Sequence, residues 1–480
     1  MVVPKNPKAW LSDRQHRVGD VIGILAFEAA AAMARLVSLH RSLSDAEVIR
    51  LRSDGMRSRG VAYLTSTDQL FLFRLACAEL VSDLDAAAAT VSRLAVRCRA
   101  NSLLSFPSTY ADVKAGCAAT SATAIRALSI KGMERRVKQM EKRIATVEKL
   151  VREMEAFDEM EAAEKRMAMK FGRHSGPIPL PSKQQMMTVD AQLLFDDIKA
   201  QRKRVARLRE GSLWNRTFDE VVAVMSRSVF AVFARICLVF GPFVTSLPPV
   251  LVSSGRMSFT PFSRKFRIYP RIGDRHHSSG PVQVSVLTTK EVAIRNSCPI
   301  IGRGREEEPK LPRDCKKVLQ PAESTLGGAG LAILYANLVV TAERLMKIGS
   351  REEEAEEGEV EAAREEIYRL LPERMRVAVR WKLKERWRER GLVDSSLAQG
   401  WREAVERILR WLGPVARDTV KWHDERMLDR SQRLNTKPRV LALQTLRYSD
   451  KDKAEAAIIE VLVGLSCFCW YESRRNSFRP

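Results

Sequence analysis

The sequence predicts an all-α protein with two helical bodies: a helical bundle carrying a long helical hairpin, and a C-terminal helical domain. A disordered basic linker joins them. Three observations carry this reading. Apolar residues recur at three- and four-residue steps over most of the chain, as one-faced helices require. Strand-like alternation is almost absent. Over residues 253–322 the periodicity stops, and Pro, Gly, Ser and Arg take over.

Residues 1–17 read as a tail and 18–106 as an N-terminal helical domain. Val18, Ile22, Leu25, Ala29, Met33 and Leu36 make its first apolar stripe. Ser44–Glu47 (SDAE) is a capping-box pattern, in which the hydroxyl accepts from the third amide and the glutamate reaches back. Ser66–Gln69 (STDQ) offers the same device before a second helix striped by Leu84, Ala87, Val91, Leu94 and Cys98. Pro107 is expected to close this unit.

Residues 107–252 read as a helical hairpin. Met133, Val137, Met140, Ile144, Val147, Val151 and Met154 form a heptad seam of about three repeats. A break at Gly176–Pro181 (GPIPLP) and a return helix from about Gln184 to Glu210 favour one arm of an intramolecular hairpin. A homodimer through the seam is the alternative. Val221, Met225, Val229, Val232, Ile236 and Phe240 stripe the next helix.

The stretch Ser253–Gln320 carries 14 Lys and Arg against 6 Asp and Glu. It has too little apolar surface to offset ordering entropy. Helical pattern resumes in a domain spanning 323–475, interrupted by an acidic insert at Glu352–Glu361. Trp401, Val405, Ile408 and Leu412 make one stripe, with Gly413 and Pro414 expected to stop it. Ile458, Val461, Leu465 and Cys469 make the last.

With 81 Lys and Arg against 58 Asp and Glu, the formal net charge is +23. Such a balance favours anionic partners and says nothing of the fold. Eight scattered cysteines without a CxxC pair indicate a reducing compartment. No secretory signal opens the chain, and Val2 stands where N-myristoylation needs glycine. Val229–Phe240 and Leu326–Ala342 fall short of the roughly 20 apolar residues a membrane span needs. The expectation is a soluble or peripheral intracellular protein of the nucleus, the cytoplasm or the inner face of the plasma membrane.

Thr325–Val339 (TLGGAGLAILYANLV) holds three glycines, Gly327, Gly328 and Gly330. A phosphate cradle needs a preceding strand and, in the Walker form, a Gly-Lys-Ser/Thr ending. CKKVLQPAES before it is not strand-like, and Leu331 follows Gly330. The residue types fit a structural role better: Ser324 or Thr325 caps a helix, and Gly327, Gly328, Ala329 and Ala332 give a bare surface for a close second helix.

At this segment the chain resembles the C-terminal domain of the plant PSK SIMULATOR family, through Thr325, Leu326, Gly327, Gly328, Gly330, Tyr335 and Asn337. Ile22–Asp45 and Leu94–Ala100 resemble that family's N-terminal domain, Gly211–Val222 and Ala234–Pro242 its middle helices, and Leu441–Leu465 its C-terminal end. The resemblance implies a non-catalytic plant protein that promotes growth and is linked to phytosulfokine peptide-hormone signalling. It supplies no catalytic residues. Some members begin with a myristoylation motif, which Val2 breaks here.

No convergent catalytic set, cofactor site or metal site is named by the residues. His423 and Glu425 lack the PCxxC partner of a zinc deaminase. His276 and His277 with Cys298 and Cys315 match no standard zinc spacing. Cys467 and Cys469 sit on an apolar helix, and no GxSxG occurs. Arg374–Arg390 interleaves Trp381 and Trp387 with cations, and reads as an amphipathic helix whose Val377, Ala378 and Trp381 meet a core. Arg380, Lys382 and Lys384 there, with Arg256, Arg264, Lys265, Arg267 and Arg271 in the linker, are candidate contacts to an anionic surface. Ser258, Ser263, Ser278 and Ser279 are candidate phosphosites whose added charge would weaken that attraction. The expected function is a signalling scaffold with protein partners. The alternatives are a peripheral adaptor on acidic lipid and a nucleic-acid-associated nuclear protein, for which no recognition motif is present.

Overall fold

A computed structural model describes residues 24–116, 130–173, 196–208, 218–244, 247–248, 317–348, 357–388, 395–427 and 434–477. The protein is all-α, with two helical regions. Among the described residues no strand occurs, and a single antiparallel bridge joins Thr325 to Asp450. The linker arginines, the four linker serines, His276, His277, Cys298 and Cys315 lie outside the described residues, as does the GPIPLP break.

The N-terminal region comprises α1 (Ile24–Ser42), α2 (Asp45–Arg50), α3 (Arg59–Leu64), α4 (Gln69–Ala95), α5 (Asn101–Leu104), α6 (Phe106–Lys114), α7 (Ile130–Arg173), α8 (196–208) and α9 (Phe218–Phe240). Helices α1, α4 and α9 pack against one another, and α7 lies along α1 and α9. Alanine-rich faces allow the α1–α4 contact: Ala26, Ala29, Ala30 and Ala34 on one side, and Ala76 and Ala87 on the other, are buried in one core. One capping prediction holds and the other moves to a different residue. Ser44 Oγ accepts from the Glu47 amide at 3.4 Å. The second helix is capped by Asp68 rather than Ser66: its Oδ1 accepts from the amides of Leu70 at 2.9 Å and Phe71 at 3.3 Å. A carboxylate beside the positive helix end is the stronger cap. Pro107 does not close the unit; it opens α6, where its missing N–H costs nothing.

The heptad seam packs within the chain. Met133, Met140, Ile144, Val147 and Val151 are 0–7% exposed in the core shared with α1 and α9. A dimer through the seam would have to withdraw these side chains from that core. Further along α7, Leu150 and Phe157 pack on Ile198 and Val205 of α8. Gln201 donates to the Glu153 carbonyl at 3.0 Å, so the expected return arm is present.

Two helices, Phe218–Phe240 and Lys451–Glu472, are long and apolar enough to cross a membrane. The sequence reading weighed only Val229–Phe240 of the first as a span and did not weigh the second, although it striped both as helices. Arg235 stays in the helix because its guanidinium reaches out to the Leu43 carbonyl and Asp45. In the fold, 78% of the apolar window of Phe218–Phe240 is buried, so this helix serves as core.

His40 sits at the end of α1, facing Arg235 of α9, Glu134 and Arg136 of α7, and Arg41. Burial, then Arg235, hold its imidazole below the ordinary 6.5. The unfolded chain therefore takes up the proton first as pH falls. Stability from this group is present above pH 6.5 and is lost as pH falls below it. In chemical denaturation at stepped pH, His40→Gln is expected to flatten the decline below 6.5 relative to the parent.

The C-terminal region comprises α10 (Ala332–Ile348), α11 (Glu357–Leu370), α12 (Glu373–Arg388), α13 (Ser395–Met427) and α14 (Lys451–Ser477). Helix α13 packs between α10 and α14, and α12 lies on α14. Gly413 and Pro414 do not stop α13, which runs on to Met427. Pro414 is exposed while Leu412, Val415, Ala416 and Thr419 are buried. That continuing apolar face offsets the roughly 3 kcal/mol a helix-interior proline costs.

The two regions exchange parts. Leu64, at the end of α3, belongs to the C-terminal core. Leu434, Leu441, Ala442, Leu443 and Tyr448 belong to the N-terminal core. Val318 and Leu319, which the sequence placed in the linker, also pack there. Both regions fall in one compact unit.

Candidate functional site

The signature glycines form a tight loop, not a helix. Helix α10 begins only at Ala332, and Gly330 has φ +70°. The Leu326 amide donates to the Ser449 carbonyl and the Gly327 amide to the Arg447 carbonyl, both at 2.9 Å. The Lys451 amide donates back to the Ser324 carbonyl at 3.0 Å. The loop thus clasps the 3₁₀ turn Leu446–Tyr448. A Cβ on Gly327 would overlap the Arg447 carbonyl oxygen, and one on Gly328 would overlap the Ala322 carbonyl group. The expected close approach is real, but its partner is backbone rather than a helix. Close helix approaches occur elsewhere. A Cβ on Gly60 of α3 would lie 2.5 Å from Val415 Cγ2 and 2.7 Å from the Trp411 carbonyl oxygen of α13. One on Gly464 of α14 would lie 2.5 Å from Val405 Cγ2.

Around the clasp, Thr325 Oγ1 donates to the Ala322 carbonyl at 2.6 Å and accepts from the Gly328 amide at 3.2 Å. Leu326 is fully buried beside Leu64 and Leu446. The Asp450 amide donates to the Leu64 carbonyl at 2.8 Å, tying α3 to the same knot. Tyr335 is 1% exposed, and its hydroxyl donates to Glu455 Oε1 at 2.9 Å. Burial and then Glu455 raise its phenol well above the usual range. Asn337 takes no part in the clasp; it lies with Val340, Arg417 and Lys421 along a shallow crevice.

A second junction lies beneath the segment 434–442, which runs along α1. Ser38 Oγ donates to the Lys437 carbonyl at 2.7 Å, and Arg41 to the Thr436 carbonyl at 2.9 Å. At its end Glu79 of α4 is 5% exposed. It accepts from Ala442 N–H at 2.6 Å and Trp422 Nε1–H at 3.0 Å, and pairs with Arg426. Burial raises its carboxyl above the ordinary value against the pull of Arg426. Nothing in the sequence singled out Glu79. Its only signal is a carboxylate inside an otherwise apolar stripe.

Chemically suggestive residues of the sequence sit in structural surroundings. Glu425 accepts from Val440 N–H at 3.0 Å, and burial raises its carboxyl. Cys467 is buried, and the Cys237 thiol is pushed up to about 12 by burial, which suppresses the nucleophilic thiolate. Among the described residues no group of three or more His, Cys, Asp and Glu side chains could hold a metal ion. A crevice of about 280 Å³ separates α3 from α13 and is lined by Arg59, Trp411 and Asp418 among others.

Helix α12 departs from its expected orientation. Met375 and Val379 are its core residues, with Leu383 packed beside them. Val377 and Trp381, expected inside, are 56% and 62% exposed. Lys382 and Arg386 turn inward to Glu460 of α14, Arg386 at 3.3 Å. Arg380 and Lys384 are exposed. The reason is the 100° step: Met375, Val379 and Arg386 share a face, and Val377 and Trp381 lie on the opposite one.

The fold and its junctions define a class: an all-α chain in which two helical segments of unassigned role are interlocked. Residues 24–80 match the model described as a domain of unknown function (DUF3475), and residues 325–421 the one described as a protein of unknown function (DUF668). The chain is similar along most of its length to the PSK SIMULATOR proteins of Arabidopsis thaliana. Protein PSK SIMULATOR 3 is 23% identical over 455 residues, covering 93% of this chain and 56% of that relative. Protein PSK SIMULATOR 1 is 23% identical over 456 residues, with the same coverage. Protein PSK SIMULATOR 2 is 22% identical over 475 residues, 96% of this chain and 62% of the relative. The chain therefore spans a little over half the length of these relatives. No solved structure matches it.

Proposed function

We propose that the chain acts as a non-catalytic scaffold in plant growth control, within the phytosulfokine response that its relatives' names evoke. The observation that carries this reading is the match to three PSK SIMULATOR proteins along 93–96% of the chain. The geometry is compatible with it. The buried Glu79 and Glu455 and the partly buried Glu425 are engaged in holding helices and loops together. In this reading the chain works inside the cell, in the nucleus, the cytoplasm or at the plasma membrane, through protein partners. The test is genetic. In a line lacking the gene, root elongation in response to added sulfated peptide is expected to be blunted and restored by the intact coding sequence. An unchanged response in the null line would remove the proposal.

A further inference from the structure

Helix α12 has two apolar faces, and the fold uses one of them. Met375 and Val379 enter the core, while Val377 and Trp381 form a ridge on the opposite side. Exposed cations flank that ridge: Arg374, Arg380, Lys384 and Arg388. The acids of the same arc are Glu373 and Glu385, and Glu373 is already engaged by Arg376 at 2.7 Å. Lys382 and Arg386 are spent internally on Glu460, so the outward charge is carried by the other four.

We propose that this outer face of α12 docks on an anionic phospholipid surface, with Trp381 and Val377 seated at the headgroup level and Arg380, Lys384 and Arg388 on the lipid phosphates. Charge complementarity identifies the occupant: cations dominate the arc around an apolar centre, which disfavours a cationic or neutral polar partner. The chemistry of the ridge separates lipid from nucleic acid. Base stacking needs aromatic faces, and the neighbour of Trp381 on this ridge is Val377, which offers no π surface. An indole with an apolar body and a polar N–H is suited to the bilayer interface, and an adjacent Val adds apolar area there. Helix α12 has 16 residues and so lies about 24 Å long, enough to present the whole arc to a plane. This surface stands independently of the growth-control reading, because a scaffold can act with or without it.

The test uses the full chain with vesicles of phosphatidylcholine, with and without phosphatidylserine. The intact protein is expected to sediment only with phosphatidylserine vesicles and to be released by salt. Each cation near an anionic leaflet is worth about five-fold in partitioning, so Arg380→Glu with Lys384→Glu is expected to weaken binding by at least about 25-fold. Trp381→Ser is expected to weaken it several-fold and to leave binding more salt-sensitive. Both variants alter exposed side chains, so their melting temperatures are expected to match the parent. Binding by both variants equal to the parent would overturn the assignment to α12 even if the protein binds vesicles. Absent vesicle binding, with tight binding to single-stranded DNA that Trp381→Ser abolishes, would overturn it in favour of nucleic acid.

Discussion

Replacing Gly328 with valine is expected to destabilise the protein by about 3 kcal/mol, read as a lower urea midpoint at an unchanged slope. The physical reason is the clasp. A Cβ at Gly328 would sit 2.7 Å from the Ala322 carbonyl carbon and 3.0 Å from the Glu323 Cα. These atoms are main chain and cannot swing aside as a flexible side chain would. Relief requires the loop's own backbone at Ala322 and Glu323 to shift, next to the bonds that tie Ser324, Leu326 and Gly327 to Lys451, Ser449 and Arg447. Gly330→Ala provides the contrast. Nothing lies within 4 Å of its added Cβ, and the cost there is only the left-handed backbone at φ +70°. About 1 kcal/mol is expected. Equal losses at the two positions would show that steric overlap with the main chain is not what the glycines serve.

Glu79→Ala is the second large effect, at about 3 kcal/mol. The loss does not measure the value of a charge, since burial already raises this carboxyl above its ordinary value. It measures what removal leaves behind: the Ala442 amide, the Trp422 indole N–H and the Arg426 guanidinium, each without its acceptor. Glu79→Gln keeps one acceptor oxygen and is expected to lose roughly half as much. Because Glu79 stands on α4 and its partners on α13 and the segment after it, the damage should reach both regions. Combining Glu79→Ala with Arg426→Ala should cost clearly less than the sum of the two single changes. Strict additivity would mean that the pair does not couple the regions.

Much of the helical architecture was legible. The stripes Val221–Phe240 and Ile458–Leu465 are core faces, and the seam from Met133 to Val151 is a packed ridge, because periodicity reports which face is apolar. Errors gathered where a local rule met a tertiary partner. Pro414 reads as a stop, yet α13 continues because its buried face continues. Gly327 and Gly328 read as a bare helix surface, yet Gly327 fits against the backbone of Arg447, far along the chain, and Gly328 against the backbone of Ala322 in its own loop. Trp381 reads as a core residue beside Val377. Two apolar faces on one helix give no local indication of which one a neighbour will cover.

The sequence by itself determined the all-α class, the helix faces, the basic charge balance and the relatives. These follow from residue type, local spacing and similarity, which are properties of neighbours along the chain. Only the tertiary structure decided the rest. It placed Leu64 in the C-terminal core and Leu443 in the N-terminal one, set Glu79 against Trp422 and Arg426, and turned Trp381 to solvent. Each of these depends on which distant surface arrives opposite a given side chain. That is settled by burying the most apolar area while leaving the fewest buried polar groups unpaired, a condition satisfied by the whole fold rather than by any one segment.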